Sequence, residues 1–103
     1  MGAQIQRMVR RIVRRFHPER VILFGSHARG ETGPDSDVDL LVVMPAKGSK
    51  RETQLDVRMA LHNIRVPVDV IVTRPEDYIW RKDVVGTIEW PASREGKLLY
   101  ARS

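Results

Sequence analysis

Val21-Ile22-Leu23-Phe24-Gly25-Ser26, then the ten residues 27–36, then Asp37-Val38-Asp39-Leu40-Leu41-Val42-Val43, is the stretch whose reading decides the fold. Residues 21–24 are a short continuous apolar run ended by glycine, which predicts a buried strand that stops in a tight turn. Residues 35–43 predict a second strand. Side chains alternate across a strand, so Asp37 and Asp39 are expected on one face, with Val38, Leu40 and Val42 on the other. Two like charges a few Å apart repel by roughly 1 to 4 kcal/mol at effective dielectrics between water and a protein surface. A hard divalent cation reverses the sign of that interaction, and Mg²⁺ or Mn²⁺ suits oxygen donors completed by substrate phosphates. Taken alone, the acids also read as turn residues and a solvent-facing strand position, and Gly25-Ser26 as an ordinary turn with a helix cap.

The combination narrows the choice. Gly-Ser followed at this distance by D-x-D resembles the signature of the DNA polymerase β-type nucleotidyltransferase superfamily. Within it, Phe24-Gly25-Ser26-His27-Ala28-Arg29-Gly30-Glu31 and Ser36-Asp37-Val38-Asp39-Leu40-Leu41-Val42-Val43 are similar to the minimal nucleotidyltransferase (MNT) group. The resemblance is strongest from Arg20 to Val72. It implies a third carboxylate on an adjacent strand, for which Val66-Pro67-Val68-Asp69-Val70-Ile71-Val72 offers Asp69. A lone acid in an apolar strand needs a partner, because burying an unpaired carboxylate is strongly unfavourable. Asp77 competes, but Thr73-Arg74-Pro75-Glu76-Asp77 reads as the start of a helix, with Pro and acids in its first turn.

The resemblance further implies a small mixed α/β sheet (α+β), with helices packed on one face, in the polymerase β-type fold. It implies that Gly25 and Ser26 hold the phosphates of a nucleoside triphosphate, and that Asp37, Asp39 and Asp69 bind Mg²⁺ or Mn²⁺. Arg29, in the turn after Ser26, can reach the triphosphate; a pair with Glu31 or Asp35 is the alternative. His27 reads as a partly exposed turn histidine, His62 as helix-face packing, and Trp80 and Trp90 as core or interface anchors.

Length and charge set limits. A chain of 103 residues is expected to form a single domain, residues 1–103, without room for a second substrate-binding lobe. An acceptor must then be held by the catalytic core or bring its own docking surface, which points to a macromolecule. Absence of cysteine excludes a disulfide framework and a thiolate metal site. With no long apolar run and no signal-peptide core, a soluble cytoplasmic protein is expected. The net charge of +5 and a pI near 10.2 suit an acidic partner, nucleic acid or protein.

Along the chain, Ile5, Met8, Val9, Ile12, Val13 and Phe16 mark one face of an amphipathic helix, with arginines around the rest, closed by His17-Pro18. That cationic face reads as a solvated surface, as a dock for an acidic protein, or as a nucleic-acid contact; the scarcity of aromatics and of any recognition motif disfavours the last. Loops are expected at 30–36 and at 45–50, the second mobile and exposed. A helix is expected over Glu52–Ile64, with Leu55, Met59 and His62 on one face and Val57, Leu61 and Ile64 on another. A further helix from Pro75 to about Val85, a limit at Pro91, and a short last strand at 96–100 complete the reading.

The function that follows from the resemblance is AMP transfer from ATP to a hydroxyl of a partner protein, a HEPN-domain toxin, with the chain as its antitoxin. Homo- or hetero-oligomers are compatible with it. A binding module that neutralises the partner by occlusion, and transfer to a small molecule, are the alternatives.

Overall fold

A computed structural model describes residues 2–31, 33 and 37–102. The expected turn at Pro34-Asp35, the strand start at Asp35-Ser36 and an Arg29–Asp35 pair lie outside those residues.

Helix α1 runs Gly2–Phe16 and buries Ile5, Met8 and Ile12, the stripe its spacing predicts. It ends where His17 takes a left-handed φ of 50° and donates its N–H to the Val13 carbonyl at 3.0 Å, with Pro18 next. Strand β1, Arg20–Phe24, leads through Gly25 into the single turn of α2, Ser26–Arg29. Strand β2, Val38–Val43, pairs antiparallel with β1. Helix α3, Lys50–Ala60, carries the chain over to β3, Val68–Thr73, which lies parallel to β2, and parallel neighbours require such a crossover. Helices α4, Pro75–Arg81, and α5, Glu89–Glu95, precede β4, Lys97–Ala101, which joins the free side of β1. The sheet order is β3-β2-β1-β4.

Strand alternation divides the core. Leu23, Leu40, Val42 and Val70 pack with α1 and α3, whereas Ile22, Phe24, Leu41 and Val43 meet Tyr78 of α4 and Ala92 of α5. The mixed sheet and the α1–α3 layer match the expectation for one face, and a smaller helical layer covers the other. Gly96 seats that second layer: a Cβ there would run into the Ala92 carbonyl and lie 2.8 Å from both Ile22 and the Leu23 carbonyl of β1. Pro91 falls within the first turn of α5, where no intrahelical donor is required, so it does not hold the helix back.

Several local readings are decided or corrected by the structure. Helix α3 ends at Ala60 rather than Ile64 and buries Val57 and Ala60, while Leu61 and Ile64 are buried in the turn that follows and Leu55 and Met59 stay exposed. Packing against β3 selects that face, and Gln54 accepts the Val72 N–H of this edge strand at 2.9 Å. His62 is exposed, its ring 2.9 Å from the Met59 carbonyl, and packs on no core face. The loop after β2 is tied down by Arg74, which donates to the carbonyls of Ala46 at 3.3 Å and Gly48 at 2.7 Å. Trp80 and Trp90 stand outside both core clusters, each beside a guanidinium, Arg81 at 5.5 Å and Arg94 at 5.2 Å from the ring centroids.

The two C-terminal helices are joined to the sheet by one buried acid. Glu89 is only 2% exposed, and its Oε2 accepts from Thr73 Oγ1 at 2.8 Å and from Arg81 Nε at 3.0 Å. Removing the guanidinium would leave a buried carboxylate without its counter-charge. Arg81→Ala is therefore expected to destabilise the fold by about 3 kcal/mol. Urea unfolding checks this, and a loss as small as the ~0.5 kcal/mol of an exposed pair would show that Glu89 does not depend on Arg81.

Candidate active site

The site begins with a contact only glycine permits. Gly25 has φ 74° and ψ −154°, a backbone region that other residues occupy with strain. A Cβ at this position would also run into Asp39 Oδ2 and lie 3.2 Å from Asp39 Cγ. The reason is the sheet: Phe24 is the register partner of Asp39 across β1 and β2, so the turn that follows Phe24 folds back against that carboxylate.

Register then adds the second acid. Asp39 and Asp69 are direct partners across the parallel pair β2–β3, and alternation sends both toward one face. Asp37 is exposed and stands immediately before β2, so strand alternation orders Asp39 but not Asp37. Its charge is nevertheless felt. The Asp39 carboxyl is held above the usual carboxylate range, first by burial, then by the charges of Asp69 and Asp37, against opposing pulls from His27 and Arg29. Asp77 lies in the first turn of α4 and is not among the charges acting on Asp39.

The remaining polar groups are placed as follows. Arg29 pairs with Glu31 at 3.5 Å, the alternative that its position in the turn offered, and with Glu95 at 3.9 Å, while its charge also reaches Asp39. His27 is buried rather than partly exposed, because α2 packs over the end of β1; only its position next to Ser26 hinted at a place in the site. Arg58 of α3 is the residue that sequence reasoning missed: its Nη2 donates to Asp69 Oδ1 at 3.0 Å. Nothing local signals it, since the contact needs α3 to lie against the edge of β3. Asp69 is half exposed, so the burial expected of an acid in an apolar strand does not arise, and its guanidinium partner meets it at the surface.

Among the described residues no three His, Asp or Glu side chains form a ready-made metal cage. Mg²⁺ sites of one or two carboxylates completed by substrate phosphates need none. The donor set is hard, oxygen-only and self-repelling, and the Gly25 turn brings backbone directly to it, so these residues fit a divalent ion held together with a phosphate chain.

Residues 5–95 match the family model for a nucleotidyltransferase domain. The chain belongs to this family. A curated relative, "Putative protein adenylyltransferase MJ0141" of Methanocaldococcus jannaschii, is 43% identical over 42 residues, which are 41% of this chain and 42% of the relative. The match thus spans less than half of that protein's length. A crystal structure of a "putative nucleotidyltransferase" from Sulfolobus solfataricus is 30% identical, covering 99% of this chain and 81% of that one, with a TM-score of 0.62. A "toxin-antitoxin with AMP-PNP" and a "toxin-antitoxin MntA-HpeT" mutant align at 19% and 17% identity over 95% of this nucleotidyltransferase domain and 74% of each of theirs, with TM-scores of 0.59 and 0.58; they share its fold. No helix among the described residues is long and apolar enough to cross a membrane.

Asp39 should make the metal-free fold less stable than it could be. Its carboxyl pKa is raised by folding, so the native state binds the proton more tightly than the unfolded chain. The associated stability is present below the unfolded carboxylate range and is lost as pH rises through the folded value. Asp39→Asn, nearly isosteric, removes that loss. In chelator, the variant is expected to unfold at higher urea than wild type at pH 7, with the gap closing toward pH 4. Equal midpoints at pH 7 would show that the carboxylate cluster carries no strain.

Proposed function

We propose that this nucleotidyltransferase domain is a metal-dependent enzyme that transfers AMP from ATP to a hydroxyl of a partner protein, a HEPN-domain toxin, and so acts as its antitoxin. The observation that carries the reading is the Gly25 turn resting on Asp39, with Asp69 in register beside it. A phosphate chain seated on that turn lies next to the carboxylates. The names of the relatives support the finer points, one as a protein adenylyltransferase and two as toxin–antitoxin assemblies, one of these with AMP-PNP.

In this reading Asp37, Asp39 and Asp69 hold Mg²⁺ or Mn²⁺, which supplies stabilisation of negative charge at the transferring phosphoryl group. Ser26 and the Gly25 turn bind the β- and γ-phosphates of ATP, since hydroxyls and glycine-turn N–H groups suit anions. Arg29 adds a guanidinium on the same side. The acceptor oxygen attacks the α-phosphorus, the bond from that phosphorus to the pyrophosphate oxygen breaks, and the hydroxyl proton passes to Asp69.

A second reading, neutralisation by occlusion, draws on α1. Arg7, Arg10, Arg11 and Arg14 line one groove, and no ion pair with an acid is formed by them among the described residues. An acidic partner surface would complement them.

The two readings part on a mass measurement. With ATP, Mg²⁺ and a HEPN-domain toxin encoded beside this chain, the toxin is expected to gain the mass of AMP. Asp39→Asn should abolish the gain while leaving the fold intact, and Ser26→Ala should slow transfer by about tenfold to a hundredfold, the value of one hydrogen bond to a charged group. A toxin that stays unmodified yet is fully neutralised by the Asp39→Asn protein, with neutralisation lost when Arg10, Arg11 and Arg14 are reversed in charge, would sink the catalytic reading in favour of occlusion.

A further inference from the structure

The Asp69 carboxylate has an occupant, Arg58, and the way it is held bears on how the site takes up its ion. Arg51, Gln54, Leu55 and Arg58 lie on one face of α3 and line a groove of about 200 Å³ against Asp69, Val70 and Ile71. Arg58 crosses the groove to touch Asp69 through one nitrogen, Nη2 to Oδ1 at 3.0 Å, a single hydrogen bond rather than a two-pronged fork. Both side chains are half exposed, 53% and 49%. Pairs of this kind shift an equilibrium by no more than about fivefold. The guanidinium is thus attracted to the cluster but weakly committed to it. By contrast, Arg81 holds the buried Glu89 at the same 3.0 Å with one end of the pair almost wholly out of water.

We propose that Arg58 is the exchangeable counter-cation of Asp69: it neutralises the carboxylate facing Asp39 while no divalent ion is bound, and yields the same oxygen when one binds. The inference rests on the reading of Asp69 as a metal ligand. Two cations competing for one carboxylate oxygen repel each other, so the ion must displace the guanidinium to use Asp69. Arg58 is then a positioning residue. It sets the threshold for loading the site and keeps the empty acidic pair from pushing apart.

Mn²⁺ binding to the intact chain, followed by electron paramagnetic resonance of the free ion, tests this without reference to turnover. Arg58→Gln is expected to bind Mn²⁺ about twofold to fivefold more tightly than wild type, the range set by an exposed pair. Arg51→Gln removes the same charge from the same groove without touching Asp69, and is expected to change affinity clearly less. In an Asp69→Asn background, Arg58→Gln should have no further effect, because the competition is for that carboxylate. Circular dichroism melts in chelator show whether each variant is folded; Arg58→Lys, which restores the charge, is expected to return affinity toward wild type. Unchanged or weaker Mn²⁺ binding by Arg58→Gln, or the same tightening with and without Asp69, overturns the proposal. Should Asp69→Asn alone bind Mn²⁺ as wild type does, the metal-ligand reading of Asp69 falls and takes this inference with it, whereas weaker binding by Asp69→Asn with no response to Arg58→Gln defeats the exchange alone.

Discussion

The repulsion between Asp39 and Asp69 is the constraint around which the rest of this structure is arranged. A parallel strand pair places the two acids opposite each other, and a parallel pair exists only because α3 carries the chain from the end of β2 back to the start of β3. Each acid is then offset by a different device. Asp39 keeps its proton more readily than an ordinary carboxylate, against the opposing pulls of His27 and Arg29. Asp69 takes a guanidinium from the helix of its own crossover.

The sheet makes this arrangement durable by burying nearly everything else. On one face α1 and α3 close over the aliphatic stripe, and on the other α4 and α5 are drawn down by the Thr73–Glu89–Arg81 network and by the close seat of Gly96 on β1. The carboxylates project at one end of β1 to β3, beyond these packed layers. Stability is thus concentrated in the packed layers, and the local electrostatic cost falls on the carboxylate cluster of the candidate site. Many proteins separate the two in this way, since a functional constellation is seldom the most stable one.

The Gly25 turn and the acid pair both lie within the residues that match the nucleotidyltransferase domain family. Physically, the turn and the acids are one object. Bringing backbone against Asp39 requires a residue that takes a positive φ and has no Cβ, which is glycine. The exposed groove along α3 adds a second positive edge, with Arg51 and Arg58 flanking Asp69.

Much of this was legible in the sequence, and for a local reason. The apolar run 21–24, the glycine that ends it, the alternation of 38–43 and the amphipathic stripe of 5–16 each express backbone and burial preferences within a few residues, so these elements could be read directly, whereas Asp69 became a candidate only through the family resemblance. Tertiary structure alone decided what lies across a gap: that Asp69 meets Arg58, that α3 turns Val57 and Ala60 inward and leaves Leu55 and Met59 outside, that His27 is buried, that Arg74 ties down the loop after β2, and that a second helical layer forms on Glu89. These outcomes depend on contacts between residues far apart in the chain. Periodicity reports which face of a segment is apolar, but the distance between two charges exists only once the sheet has set the register and the helices have packed on it.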